Sequence, residues 1–284
     1  MQCSPIRVRY ERKFAPKNFY TSPTVLYLTT GFKDTMRRFA GGVLMVVVLG
    51  AVSSCFDPPD FPTTPSIEFG EVFFRDVPSG ADTLALRIRF QDGDGDVGLR
   101  PDEFTNSDNQ PAYAQYFYFE EGTNLKLTTR NTTRKLVNFR SRRTVKGYDT
   151  LPAYVSPFNC LNWELVYNNA SPPRIVDTVY FQSNPNFNNI FVEFYTKNAN
   201  GSFSEYDWKE LFCVDFNGRL PRLQKEGVGS APLEGTITYP MRSVGFLQAF
   251  GIRTLKLRVW IQDRALRRSN VIETPEFTLQ NIRR

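Results

Sequence analysis

The segment Phe90–Glu103 reads FQDGDGDVGLRPDE. Asp92, Asp94 and Asp96 are spaced by two, with glycines between them. Three carboxylates this close repel one another unless a cation sits among them. Alternate glycines let the backbone curl so that the three side chains converge. Hard oxygen donors at this density select calcium over transition metals. Glu103 is the twelfth residue counted from Asp92, the position at which a bidentate carboxylate closes a calcium loop. The sequence therefore nominates Asp92, Asp94, Asp96 and Glu103 as calcium ligands. The competing reading is an acidic, glycine-rich turn between two strands. Asp263, at the end of a late strand, is a further carboxylate within reach of the same rim.

The pattern resembles the DxDxDG calcium loop of EF-hands and of many exported proteins. It departs from the EF-hand in three ways. Val97 stands sixth, where the EF-hand has glycine, and Gly98 comes one residue later. Pro101 sits where an exiting helix would begin, and the flanks alternate like strands. The resemblance implies a calcium loop on a β domain.

The chain has no histidine. That excludes Ser-His-Asp and Cys-His catalysis and histidine-ligated zinc. A polysaccharide hydrolase would need two carboxylates about 5–10 Å apart across a cleft. Glu164, Glu193, Asp207 and Asp215 are the candidates, and nothing in their spacing pairs them. Trp163, Tyr206, Trp208 and Trp260 could stack on sugars, or could equally be core and sheet-face packing. Of the four cysteines, Cys160 and Cys213 form an even pair for an oxidising compartment, which predicts a disulfide. The alternative is two separate buried thiols.

These residues lie among strand patterns. Thr83–Gln91 alternates Leu84, Leu86, Ile88 and Phe90 with polar neighbours. Thr254–Asp263 does the same with Leu255, Leu257, Val259 and Ile261. Further strands are read at 67–75, 113–120, 124–129, 160–167, 175–182, 190–196, 212–216, 233–239 and 270–279. Asn217-Gly218 reads as a hairpin turn, and Met241–Phe250 as the one short helix. Ten or so strands without βα pairs predict an all-β fold, an antiparallel β-sandwich of immunoglobulin-like type over residues 67–284. Arg140, Arg142 and Arg143 lie in a basic stretch read as a surface loop or edge strand.

Ahead of the domain, Arg37-Arg38 precedes an uncharged run, Phe39–Val52, that closes in Ser53-Ser54-Cys55. A charged start, a short apolar stretch and a small-residue exit form a secretory signal. A spanning helix would need about 20 apolar residues. The order of parts resembles the lipobox of bacterial lipoproteins. That implies a signal peptide over 36–54, acylation of Cys55, and anchorage to the bilayer by the acyl chains. The competing reading is an uncleaved helical anchor. FDPPDFPTTPS (56–66) follows as a proline-rich tether. Residues 1–35 form an n-region too long for such a signal, and Met36 is the expected start. Residues 1–54 hold 8 of the 35 basic and 2 of the 29 acidic side chains, leaving 27 of each beyond them. A neutral mature domain argues against nucleic acid as partner.

The lipobox, FQDGDGDVGL and IQDRALRRSNVIETP together resemble Bacteroidota-type lipoproteins of unassigned role. The resemblance implies an outer-membrane lipoprotein, periplasmic or surface-exposed, and transfers no catalytic residues. The expected function is a non-enzymatic module binding an envelope protein or glycan, with calcium stiffening one loop. The alternatives are a carboxylate- or metal-dependent polysaccharide hydrolase and a structural subunit of an envelope complex.

Overall fold

A computed structural model describes residues 60–100, 113–123, 125–130, 133–144, 161–223 and 229–284. Cys55, Glu103, Cys160 and the 36–54 signal lie outside the described residues. Among the described residues no helix is long and apolar enough to cross a membrane.

Among the described residues eleven strands form three sheets, and every strand pairing is antiparallel. The first sheet is β1 (Ser66–Arg75), β2 (Asp82–Asp92) and β9 (Leu233–Ser243), in that order. The second runs β11 (Ile272–Glu273), β10 (Leu255–Ile261), β7 (Ile190–Lys197) and β8 (Phe203–Glu205). Counting only these seven strands, the orders are first-second-fifth and seventh-sixth-third-fourth. That is the immunoglobulin-like arrangement of A-B-E facing G-F-C-C′. Both sheets contribute to one core. Leu84, Leu86 and Ile88 of β2 and Leu255, Leu257, Val259 and Ile261 of β10 are fully buried within it. Each such side chain contributes roughly 1.5–3 kcal/mol by leaving water. Register is thereby locked, because a slip of one residue would turn the whole inward row to solvent.

The third sheet, in the order β4 (Lys126–Leu127), β3 (Tyr116–Phe119), β6 (Ile175–Ser183), β5 (Trp163–Tyr167), is inserted between β2 and β7. It carries its own small clusters, Phe119, Val137, Trp163 and Tyr180 in one, Tyr118, Val179 and Phe181 in the other. The sequence-based picture of a single sandwich over 67–284 omits this insertion. Short aromatic strands look alike whichever sheet they join. Arg219 ties the insertion to the sandwich, donating to the carbonyls of Phe187 (2.8 Å) and Tyr113 (3.4 Å).

Residues 212–216 are not a strand. Trp208–Phe212 is a short helix capped by Asp207, whose carboxylate accepts from the Lys209 and Glu210 amides at 2.8 and 2.9 Å. Asn217-Gly218 is not a hairpin turn either. Gly218 bridges to Ile190 and the Asn217 side chain accepts from the Val192 amide, so the pair seals an edge of β7. The expected helix near 241–250 is confined to Phe246–Phe250, because β9 runs on to Ser243. The basic stretch contains a 3₁₀ turn, Ser141–Arg143. Its Arg142 is buried over the Phe139 ring, with the guanidinium 4.0 Å from the centroid.

Candidate cation site and acidic cavity

Asp92 is the next inward position after Leu84, Leu86, Ile88 and Phe90, and it is fully buried. Asp263 extends the inward row of β10 in the same way and is 3% exposed. Each sheet thus drives one carboxylate into the same end of the core. The two are brought together by an isolated bridge between Val97 and Asp263. Val97 is itself fully buried and donates its amide to Asp92 (3.3 Å). This explains why the sixth loop position is a valine: it packs as core. Gly98 takes the positive φ, +99°, and any Cβ there would strike the Pro221 carbonyl.

One carboxylate oxygen from each of Asp92, Asp94 and Asp96 lies within 4.8 Å of the others, a set that could hold a metal ion. In each of the three, Oδ1 is buried without a hydrogen-bond partner. Burial, then the neighbouring Asp96 and Asp94, push the Asp92 carboxyl up to about 7. Burial, then Asp263 and Asp94, push Asp96 up to about 6. The second oxygens of Asp94 and Asp96 are met by an arginine, which also reaches Asp263. Arg267 donates to Asp94 (2.5 Å), Asp263 (2.6 Å) and, more distantly, Asp96 (3.4 Å). Sequence reasoning missed Arg267. The available signal was its i,i+4 spacing from Asp263. The segments FQDGDGDVGL and IQDRALRRSNVIETP meet at this cluster.

The hydrolase candidates divide. Glu164 belongs to the inserted sheet, where it accepts from Tyr118 (2.8 Å) and pairs with Arg130 (2.8 Å). Glu193, Asp207 and Asp215 line one cavity of about 320 Å³, together with Glu205, which sequence reasoning did not single out. Glu193 faces outward on β7 and pairs with Arg258 of β10 (3.3 Å). Asp207 caps the helix, and Asp215 accepts from the Asn217 amide (2.8 Å). The Tyr239 hydroxyl fixes this wall by donating to the Phe216 carbonyl (2.9 Å). Among the described residues Asp92, Asp94 and Asp96 are the only converging metal-ligand group, so the cavity acids do not meet at a point.

Of the aromatics named for sugar stacking, Tyr206, Trp208 and Trp260 line this cavity but are packed against neighbouring side chains. Trp163 and Trp208 are buried, and Tyr206 packs on Trp208 and Phe250. Trp260 has Phe191 stacked at 5.1 Å and the Arg268 guanidinium at 4.1 Å. Cys213 is disulfide-bonded and ends the Trp208–Phe212 helix in a left-handed conformation.

No family model, curated protein or solved structure matches this chain.

Proposed function

We propose that the chain is a cell-envelope lipoprotein, anchored in the outer membrane through acylated Cys55. Its immunoglobulin-like sandwich acts there as a non-enzymatic binding module whose loop end is stiffened by calcium. The observation that carries the calcium part is the trio of buried, unpartnered carboxylate oxygens on Asp92, Asp94 and Asp96. A buried oxygen of this kind costs free energy unless a donor or a cation meets it. Calcium accepts several carboxylates in flexible geometry, which suits a loop better than the strict octahedron of magnesium. A ligand at a hundred times its Kd stabilises by about 2.7 kcal/mol. That corresponds to roughly 5–10 °C in a domain of this size. The test is thermal melting in calcium against chelator, for wild type and Asp94→Ala. The expected rise in wild type disappears in the variant, and identical wild-type curves would defeat the calcium reading. The anchor is tested by labelling cells with a radioactive fatty acid. Label present in wild type and lost in Cys55→Ala is expected.

A polysaccharide hydrolase is the second reading, favoured by Glu193, Asp207 and Asp215 lining one cavity. It requires one of them to act as acid or base. Glu193 is paired with Arg258, and Asp207 and Asp215 serve backbone amides. Turnover of envelope polysaccharide that is abolished by Asp215→Asn would establish it over the binding module. The third reading, a structural subunit of an envelope complex, predicts stable co-purification in mild detergent.

A further inference from the structure

On the reading that Asp92, Asp94 and Asp96 hold calcium, we infer that Arg267 is a built-in competitor of the ion and sets the affinity of the site. Asp263 is the anchor of that arginine rather than a metal ligand. The converging group takes one oxygen each from Asp92, Asp94 and Asp96, and Asp263 is not part of it. Asp263 is 3% exposed, and both of its oxygens are taken by one residue. Its Oδ1 accepts from the Arg267 amide at 2.7 Å and its Oδ2 from Arg267 Nε at 2.6 Å. The same guanidinium then reaches past its anchor. Its Nη2 donates to Oδ2 of Asp94 at 2.5 Å and, more weakly, to Oδ2 of Asp96 at 3.4 Å. One nitrogen is thus committed to Asp263, while another leans on two of the three metal-ligating side chains. When the ion enters, the Nη2 contacts give way and the bonds to Asp263 stay.

Two further features mark Arg267 as a stand-in for a metal ion. The first is that it leaves the deepest oxygens unmet. Asp92 is fully buried, belongs to the converging group, and has an Oδ1 without a partner. Oδ1 of Asp94 and Oδ1 of Asp96 are likewise enclosed and unpartnered. One guanidinium against four carboxyl groups leaves a deficit that a divalent ion fills. The second is that the chain holds Arg267 in place at a cost. The Asp263 amide donates to the Arg267 carbonyl at 3.1 Å, and the Leu266 amide donates to the Asp263 carbonyl at 3.2 Å. Within this turn Leu266 has a φ of +64°, a left-handed conformation that a bulky side chain seldom adopts. Such a residue persists only where its surroundings impose it. The side chains of Arg267, Asp94 and Asp96 are 29%, 26% and 26% exposed, so exchange with an ion from solvent needs no opening of the core. Calcium loops tune their affinity by the charge count of their ligands, and Arg267 subtracts one from that count. The expected wild-type Kd is that of extracellular calcium modules, roughly 10⁻⁴–10⁻³ M.

The test is calorimetric titration of the full chain with calcium chloride at fixed ionic strength. Arg267→Gln removes the charge and keeps a donor for Asp263, and Arg267→Met is the second variant. Arg268→Met is the control, because it removes the adjacent charge, which lies over the Trp260 ring. Circular dichroism confirms that each variant is folded, and either Arg267 variant that folds is enough to decide. The expected result is calcium bound at least tenfold more tightly by the Arg267 variants than by wild type, and within twofold of wild type by Arg268→Met. Equal or weaker binding by the Arg267 variants would overturn the competitor role and leave the calcium reading standing. A gain in Arg268→Met as large as in Arg267→Gln would assign the effect to the general field of the turn and overturn it as well. Calcium bound by neither wild type nor any variant would defeat the calcium reading itself, and this inference with it.

Discussion

Two acidic regions of this molecule differ in which side of the sheet they grow from. Asp92 and Asp263 continue the inward rows of β2 and β10, and their loop partners Asp94 and Asp96 close over them. Glu193 stands on the outward row of β7, and Asp207 and Asp215 sit on the connection between β8 and β9. The inward group is desolvated, carries buried oxygens without partners, and has drawn in Arg267. The outward group keeps its surface, and its members find Arg258 or a backbone amide. The same side-chain type therefore demands a cation in one region and merely tolerates one in the other. Whether the side chain is turned into the core or left at the surface decides which.

The sharpest way to break this contrast is to remove the arginine. Arg267→Met should cost about 3 kcal/mol in chelator, since it strands carboxylates at the end of the core. Calcium should restore most of that loss and should shift the melting temperature further than in wild type, because no internal cation competes with it. Equal calcium shifts in variant and wild type would show that Arg267 and metal use separate oxygens.

The next effect is on pH dependence. Asp92 and Asp96 titrate near 7 and 6 in the fold, above the range of an unfolded aspartate. Between about pH 4 and 7 the folded chain therefore holds more protons than the unfolded one. Their contribution to stability is largest at the acid end and is lost as pH rises through the folded values. In chelator, melting temperature should rise as pH falls from 7.5 to 5.5, and Asp92→Asn should flatten the slope. Calcium should flatten it too, by holding the carboxylates ionised.

The smallest effect is expected at the outward pair. Glu193→Gln breaks a partly exposed ion pair with Arg258 and should change stability by less than about 1 kcal/mol. A loss as large as that of Arg267→Met would erase the distinction between the two regions.

Much of this was legible from alternation alone. Leu84–Phe90 and Leu255–Ile261 announced two strands buried on one face, and the positions of Asp92 and Asp263 followed by counting in twos. The interruption of the sandwich was not legible, because Tyr116–Phe119 and Ile175–Ser183 have the same strand grammar as the sandwich itself. Phe212–Phe216 was misread for a local reason. Its apolar residues are the end of a short helix and an irregular segment, both held by contacts distant in sequence, such as Tyr239 with Phe216. Arg267 was hidden because its partners Asp94 and Asp96 lie more than 170 positions away. The cavity acids come from β7, from β8 and from the connection that follows it, which no spacing rule joins.

Gly93 donates its amide to the Pro62 carbonyl at 2.9 Å, and a Cβ at that glycine would collide with the Phe61 carbonyl. The chain leading into the domain is therefore fastened beside the acidic loop. On the lipoprotein reading, the seven residue-to-residue steps from Cys55 to Pro62 span at most about 25 Å when fully extended. Strand β2 rises about 33 Å from the acidic loop to its other end, at roughly 3.3 Å per residue. That end pairs with Ser243, next to the exposed Val244. A cation held by Asp92, Asp94 and Asp96 would therefore stiffen the end of the domain at which its leading chain is fastened.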